Sequence, residues 1–437
     1  MSAEAITHGR VLRIAVPIVL SNATVPLLGA VDTAVIGQLG QAAPIGAVGI
    51  GAVVLTSIYW VFGFLRMGTT GLAAQARGAG DGAEVAALLS RALLIGLGGG
   101  CLLILLQPLL FWAAFRLAPA SPEVEALAGQ YLTIRIWAAP AAIAAYGING
   151  WLIAQERTRA VLALQLWTNG INIALDVAFV LGFGWGVPGV ALATALAEGS
   201  GLVLGLWLCR DAFRGTAWKD RARVLDSVRL RRMAQVNADI LIRTVLLLSI
   251  FVSFQFWGAG MGDATLAANQ VLMQFVNIAA YALDGFAFAT EALVGQAFGA
   301  GRIGELRRGI RLASLWGLGA AAALGLAYAA FGPGIVALMT TAPEVREEAA
   351  RFLPWVALAP LIGLPSWMLD GIFIGATRTR DMRTMTALAV ALYFAAAWPL
   401  TEAFGNHGLW AALTLSWALR AVTLGWRYPA LERAAGR

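Results

Sequence analysis

The amino-acid sequence predicts an all-α, polytopic membrane protein, with about twelve transmembrane helices in two six-helix lobes related by internal duplication. Three observations carry this. Of 437 residues, 59% are hydrophobic and only 13% charged, where a soluble domain is about a quarter charged. Apolar stretches of about 20 residues, enough to cross a bilayer, recur from end to end. Two separate motifs also repeat at one offset, 221 residues, close to half the chain.

The elements follow in order. The first span, 11–36, carries Pro17, Pro26 and one carboxylate, Asp32. A charge at membrane depth costs about 2.5–3.5 kcal/mol on insertion scales and is a functional candidate by default. The prolines remove backbone hydrogen bonds and mark where the helix bends. Spans 44–66 and 88–115 are apolar. Span 126–153 adds Tyr131, Arg135 and Asn149 at near-helical spacing. Span 160–182 is polar along one stripe, Gln165, Asn169, Asn172 and Asp176, with spacings of 4, 3 and 4. Span 187–209 offers Thr194. The segment 210–231 is basic and polar, and is the one boundary between an N-lobe (1–209) and a C-lobe (232–437). Span 232–257 holds Asp239 and Arg243 four apart, which reads as an internal ion pair. Span 265–290 carries a second stripe, Gln270, Gln274, Asn277, Tyr281 and Asp284, read as lining a water-filled cleft on the substrate path. Span 309–331 follows. Span 346–375 contains Asp370, a further buried candidate, and spans 383–403 and 407–427 complete the set.

The net charge of +7 is a topology signal rather than a nucleic-acid surface. Arginines cluster in alternate loops, notably 210–232, 302–311 and 378–383, and in the tail through Arg437, while the loops 37–43 and 183–186 carry no charge. The positive-inside rule then places both termini and the 210–231 connection in the cytoplasm. A built-in ATPase is excluded and intramembrane hydrolysis has little support. There is no GxxxxGK[ST] phosphate loop and no HExxH, and the two histidines, His8 and His407, sit near the terminus and in a loop. Cys101 and Cys209 fall in apolar segments without metal spacing.

The duplication separates function from packing. Gln75-Ala76-x-Gly78-Ala79-Gly80 returns as Gln296-Ala297-x-Gly299-Ala300-Gly301, and Gly150-Trp151-Leu152-Ile153 as Gly371-Ile372-Phe373-Ile374. At the same offset Asp32 corresponds to Ser253 and Asp176 to Ala397. Both carboxylates therefore belong to one half, and packing alone gives no reason for that. Asp32 lies about 6 Å and Asp176 about 9 Å from the outer ends of their spans, so the two can face each other. Like charges in a dry site cannot both ionise cheaply, so the pair is suited to hold one proton or to clamp a small cation. With Gln165, Asn169 and Asn172 of the same stripe, Thr194, and Tyr131 and Asn149, they form an oxygen-rich set of amides, hydroxyls and carboxylates fit for H⁺ or Na⁺. Gln165 and Asn169 are read as cleft-lining or as interhelical glue.

Pro26-x-x-x-x-x-Asp32-Thr33 with Gly37, Asn172-x-x-x-Asp176 and the paired Gln-Ala-x-Gly-Ala-Gly motifs resemble the multidrug and toxic compound extrusion (MATE) transporters, in their DNA-damage-inducible (DinF) branch. The resemblance covers nearly the whole chain. It implies alternating access between two lobes and export of amphipathic, often cationic, drug-like compounds against an inward ion flow. H⁺ is the expected coupling ion and Na⁺ the alternative, with no other cofactor or metal. It implies a coupling site at Asp32, Asn172, Asp176 and Thr194, with Tyr131 and Asn149 close by, and bending of the first helix on protonation, which fits Pro17 and Pro26. A monomer in the inner membrane, among lipids and without nucleic acid, is expected. The rival readings are a lipid-linked oligosaccharide flippase, which needs a strongly cationic cavity, a membrane enzyme, and a non-transporting scaffold.

Overall fold

The first span is two helices, not one. In the computed structural model, which describes residues 5–38, 40–117 and 120–436, α1 (His8–Ala23) ends and α2 (Val25–Gly37) begins across Thr24. Thr24 turns tightly: its N–H (3.1 Å) and its hydroxyl (2.8 Å) both donate to the Ser21 carbonyl. Pro26, in the first turn of α2, has no N–H with which to carry the ladder across. Pro17 instead lies inside α1, which runs through it unbroken. Arg437, counted above in the basic tail, lies outside the described residues.

The remaining helices follow the expected order. They are α3 (Ala42–Val61), α4 (Gly63–Gly78), α5 (Gly82–Leu117), α6 (Pro122–Arg135), α7 (Ala139–Ala154), α8 (Thr158–Asp176) and α9 (Gly186–Leu208). After a short α10 (Arg221–Val224) come α11 (Ser227–Ala259), α12 (Asp263–Gly299), α13 (Ile303–Met339), α14 (Pro343–Gly375), α15 (Thr379–Phe404) and α16 (Asn406–Ala435). Ten helical stretches are long and apolar enough to cross a membrane, among them α3 with α4 as Ala42–Gly78 and α6 with α7 as Pro122–Ala154. The α1–α2 pair and α16 complete the twelve spans. Several helices overrun the apolar stretches: α12 and α13 have 37 residues each, where about 20 cross the hydrocarbon core. The surplus carries each helix beyond the apolar layer.

The backbone bears the duplication independently of side chains. Among the described residues only two non-glycines have positive φ, Glu156 (57°) and Thr377 (49°), and they are 221 apart. Gly80 and Gly301 (77° and 65°) repeat the offset, as do Gly184 and Gly405 (71° and 55°). The turn around Glu156 returns bond for bond: Arg157 N–H to Leu152 O at 2.8 Å, and Arg378 N–H to Phe373 O at 2.9 Å. The repeated glycines have a packing reason. A Cβ on Gly150 would meet the backbone of Arg66, and one on Gly371 would lie 2.6 Å from the Ala287 carbonyl, positions again 221 apart.

Two compact units emerge. One comprises residues 20–73 and 81–232; the other comprises 1–19, 74–80 and 233–437. The first span thus contributes to both. In the second unit α1 packs so closely on α12 that a Cβ on Gly285 would fall 2.8 Å from the Ala15 carbonyl. The basic connection is built into the first unit. Buried Arg91 of α5 donates from Nε to Val224 O (2.9 Å), from Nη2 to Arg223 O (2.8 Å) and from Nη1 to Glu84 Oε1 (2.7 Å). Ser90 donates to Trp218 O at 2.8 Å. Segment 210–231 is therefore anchored rather than loose.

Candidate functional site: a buried acidic pair

Two facing carboxylates lie in the first unit. Asp32, on α2, is 6% exposed, and Asp176, the last α-helical residue of α8, is fully buried. Beyond Asp176 the chain widens into a π-helical turn, Val177–Gly182, in which the Phe183 N–H reaches back five residues to Ala178 O (2.9 Å). Such turns recur at functional positions because they re-aim the residue beside them. Asp32 and Asp176 stand close enough to share a hydrogen bond, with Asn172 against both. Carboxylates only accept, however. Among the described residues no N–H or O–H reaches Asp32 Oδ1, either oxygen of Asp176, or Asn172 Oδ1. A bond between the two acids forms only when one carries a proton; otherwise a cation must lie between them.

The neighbouring residues fix this geometry. Asn172 Nδ2 donates to Thr194 Oγ1 (3.0 Å), and Thr194 donates to Val190 O (3.0 Å). The amide is thereby oriented with its oxygen free. Asn172 and Thr194 are buried. Tyr131, also fully buried, accepts from Arg135 Nη1 at 3.4 Å and lies within electrostatic range of Asp32. Asn149 is half-buried, with an unpartnered Oδ1. One acid went unnoticed in the sequence: Glu198 of α9 pairs with Arg135. The available signal was its position four residues after Thr194, on the same helical face. Tyr59 of α3 is buried in range of both charges and was equally missed.

Other expected residues separate from this group. Asn169 donates to the Thr24 carbonyl (3.1 Å) at the break in the first span and accepts from Gln165 (3.0 Å). Gln270, Gln274, Asn277 and Tyr281 form an exposed polar face on α12, with Asp284 half-buried; Gln270 donates to Gln255 at 2.6 Å. Asp370 is buried, and Arg243 and Arg420 both bind its Oδ2. That corrects the Asp239–Arg243 ion pair. Asp239 is taken by Arg383 (2.6 Å) and Thr379 (3.0 Å) of α15, and Arg243, one turn on, reaches α14 instead. At the C-terminal counterparts of Asp32 and Asn172, Ser253 and Tyr393 share a neutral hydrogen bond of 3.0 Å. The second half thus keeps the position and lacks the charge. Among the described residues no three His, Cys, Asp or Glu side chains are grouped to hold a metal ion.

The MatE family model matches this chain twice, over residues 17–178 and 240–398, one match in each half. The chain is 39% identical to DNA damage-inducible protein F of Escherichia coli (strain K12) over 431 residues, covering 95% of this chain and 91% of that protein. It is 30% identical to the probable multidrug resistance protein NorM of Pseudomonas aeruginosa, covering 94% and 85%. The fold matches the crystal structure of the Vibrio cholerae MATE transporter VcmN in the bent form with a TM-score of 0.88, at 22% identity, over 98% of this chain and 97% of that one.

Proposed function

The chain belongs to the MatE family of multi-pass membrane transporters, and on that premise we propose that it is an antiporter exporting amphipathic, often cationic compounds against inward H⁺. The observation that carries this is the facing pair Asp32 and Asp176, buried, with Asp32 Oδ1 and both oxygens of Asp176 lacking a donor. One proton turns one of the two into an O–H donor aimed at the other, and removes a charge from the apolar interior. A cationic substrate group supplies the same neutralisation, so proton and substrate compete for one pair of acids and exchange without ATP. Asn172 and Thr194 hold the pair in register. Tyr131 and Asn149 supply neutral oxygen and hydroxyl contacts beside it. Na⁺ is the alternative ion, since four unpartnered oxygens surround the position.

Asp32 lies eight residues beyond the break at Thr24. In this reading its protonation changes how α2 seats against α8, and the Pro26 break absorbs the movement, with alternating access as the outcome. The exposed polar face of α12, Gln270 to Asp284, lines the substrate path. The protein works as a monomer in the inner membrane, with both termini cytoplasmic.

The test is efflux of a fluorescent cationic dye from reconstituted vesicles, under an imposed pH gradient or an imposed Na⁺ gradient, with wild type beside Asp32→Asn. Movement driven by the pH gradient and lost in the variant supports the proposal. Movement driven by Na⁺ alone replaces the ion and keeps the site. An Asp32→Asn protein that exports as well as wild type refutes the role of the pair.

A further inference from the structure

The second unit holds a charged cluster of the opposite sign. Arg243 (8% exposed) on α11, Asp370 (5%) on α14 and Arg420 (4%) on α16 meet in its interior. Both arginines bind the same oxygen, Asp370 Oδ2. Asp370 Oδ1, Arg243 Nε and Arg420 Nε have no partner. The nearest acid on α11, Asp239, is occupied by Arg383 and Thr379. Two guanidiniums against one carboxylate leave one positive charge in surplus. Arg243 is 16 residues from either end of α11, about 24 Å along the helix, so the surplus sits at membrane depth. A structural ion pair needs only one arginine, and a surplus charge at that depth is costly unless a partner arrives.

The duplication isolates the cluster. The positions equivalent to Arg243, Asp370 and Arg420 in the first half are Asn22, Asn149 and Gly199. The fold is thus built once without these charges, and packing does not require them. The cluster also adjoins an aromatic pair. Trp417 precedes Arg420 by one turn of α16 and Trp367 precedes Asp370 by one turn of α14, their rings 6.0 Å apart. Trp417 is buried, whereas Trp367 is partly exposed.

We propose that Arg243 and Arg420 bind the anionic group, a carboxylate or sulfonate, of an amphipathic substrate whose aromatic part stacks on Trp367 and Trp417. Asp370 engages both guanidiniums through one oxygen and competes with an arriving anion for them, while Arg243 Nε and Arg420 Nε stand without a partner. Arginine suits this task because its planar fork matches a carboxylate or sulfonate and its N–H groups cannot lose their charge at physiological pH. With an acidic pair in one unit and a basic cluster in the other, the transporter accepts amphipathic compounds with an anionic end as well as cationic ones.

The inference rests on the exporter reading, but its test uses no gradient, so the two can fail separately. Purified protein in detergent is titrated with anilinonaphthalene sulfonate and with phenylnaphthylamine, the same ring system without the sulfonate, and energy transfer from tryptophan reports binding. Wild type should bind the sulfonate roughly tenfold or more tightly than the uncharged ring, the value of a charge-assisted hydrogen bond. Arg243→Gln and Arg420→Gln should each bring the two affinities together. Asp370→Asn, which removes the competing carboxylate, should tighten the sulfonate alone. Gel filtration and melting establish that each variant is folded. Equal wild-type affinities overturn the proposal, as do arginine variants that move both probes alike. Should both arginine variants fail to fold, Asp370→Asn decides: a sulfonate affinity that is unchanged or weaker overturns it.

Discussion

Breaking the Arg135–Glu198 pair should cost far more than removing it altogether. The pair joins α6 to α9 with side chains 9% and 16% exposed. It has little support: Arg135 Nε and Glu198 Oε2 are unpartnered, and the remaining contact of the guanidinium is the long one to Tyr131, at 3.4 Å. Glu198→Gln therefore strands a buried cation, at about 3–5 kcal/mol. Arg135→Gln strands a carboxylate that has a little more access to solvent, and should fall at the lower end of that range. In the double variant two neutral amides remain, able to bond to each other, and the loss should drop to about 1–2 kcal/mol. The coupling free energy is then about 4 kcal/mol or more, large for a neighbouring pair. Midpoints from a denaturing-detergent titration of the four proteins, with tryptophan fluorescence as the signal, give the cycle. If the double variant loses the sum of the two single losses, the pair is not an interacting unit and the reasoning fails.

Three further outcomes follow from the geometry. Gly78→Ala and Gly299→Ala should each destabilise the second unit by about 1–3 kcal/mol by overpacking, and to similar extents; thermal melting of the two variants side by side checks this, and one harmless substitution would refute it. Asn169→Ala should cost about 1 kcal/mol by removing the donor to the Thr24 carbonyl, and should raise hydrogen exchange at the α1–α2 junction while leaving α9 unchanged; unaltered exchange there would remove the residue's structural role. At the chain's end, hydrogen bonds from Arg307 (2.9 Å to each oxygen) and Tyr428 (2.8 Å) hold the Glu432 carboxyl below its usual 4.5. A lowered carboxyl contributes stability above its ordinary value and loses it as pH falls through the folded one, so the protection of the last turns of α16, taken relative to the intrinsic exchange rate at each pH, should fall in acid, and Glu432→Gln should abolish that fall.

The fold was legible because its signals are local. Span length, loop charge and the repeat offset each lie within one stretch of chain or between two aligned ones. The face Asn172–Asp176 could be placed for the same reason: helical spacing shows which residues share a face, whereas Thr194, on another helix, is joined to it by the family resemblance. Interhelical pairing is a different kind of information. Asp239 and Arg243 stand four apart, which favours an ion pair on an isolated helix, yet each finds a stronger partner on another helix. Asp370, Arg243 and Arg420 are far apart in sequence, and no periodicity links α11, α14 and α16. Glu198 shares a face of α9 with Thr194, but its partner Arg135 lies on α6, a pairing that no spacing within α9 reveals. The break at Thr24 was readable from Pro26, but nothing local distinguished Pro26 from Pro17, which its helix absorbs.

The two Gln-Ala-x-Gly-Ala-Gly segments meet reciprocally. A Cβ on Gly78 would fall 2.8 Å from the Gln296 Cα, and one on Gly299 would fall 2.8 Å from the Gln75 Cα. This is the self-complementary pattern of an isologous contact, in which residue i meets j and j meets i, normally seen where two identical subunits are related by a two-fold axis. Here a single polypeptide supplies both faces. Each segment serves as knob and as socket for the other, so the two glycines obey one steric rule stated twice. A side chain added on either face meets the backbone of its mate, so no exchange of side chains on the other face relieves it.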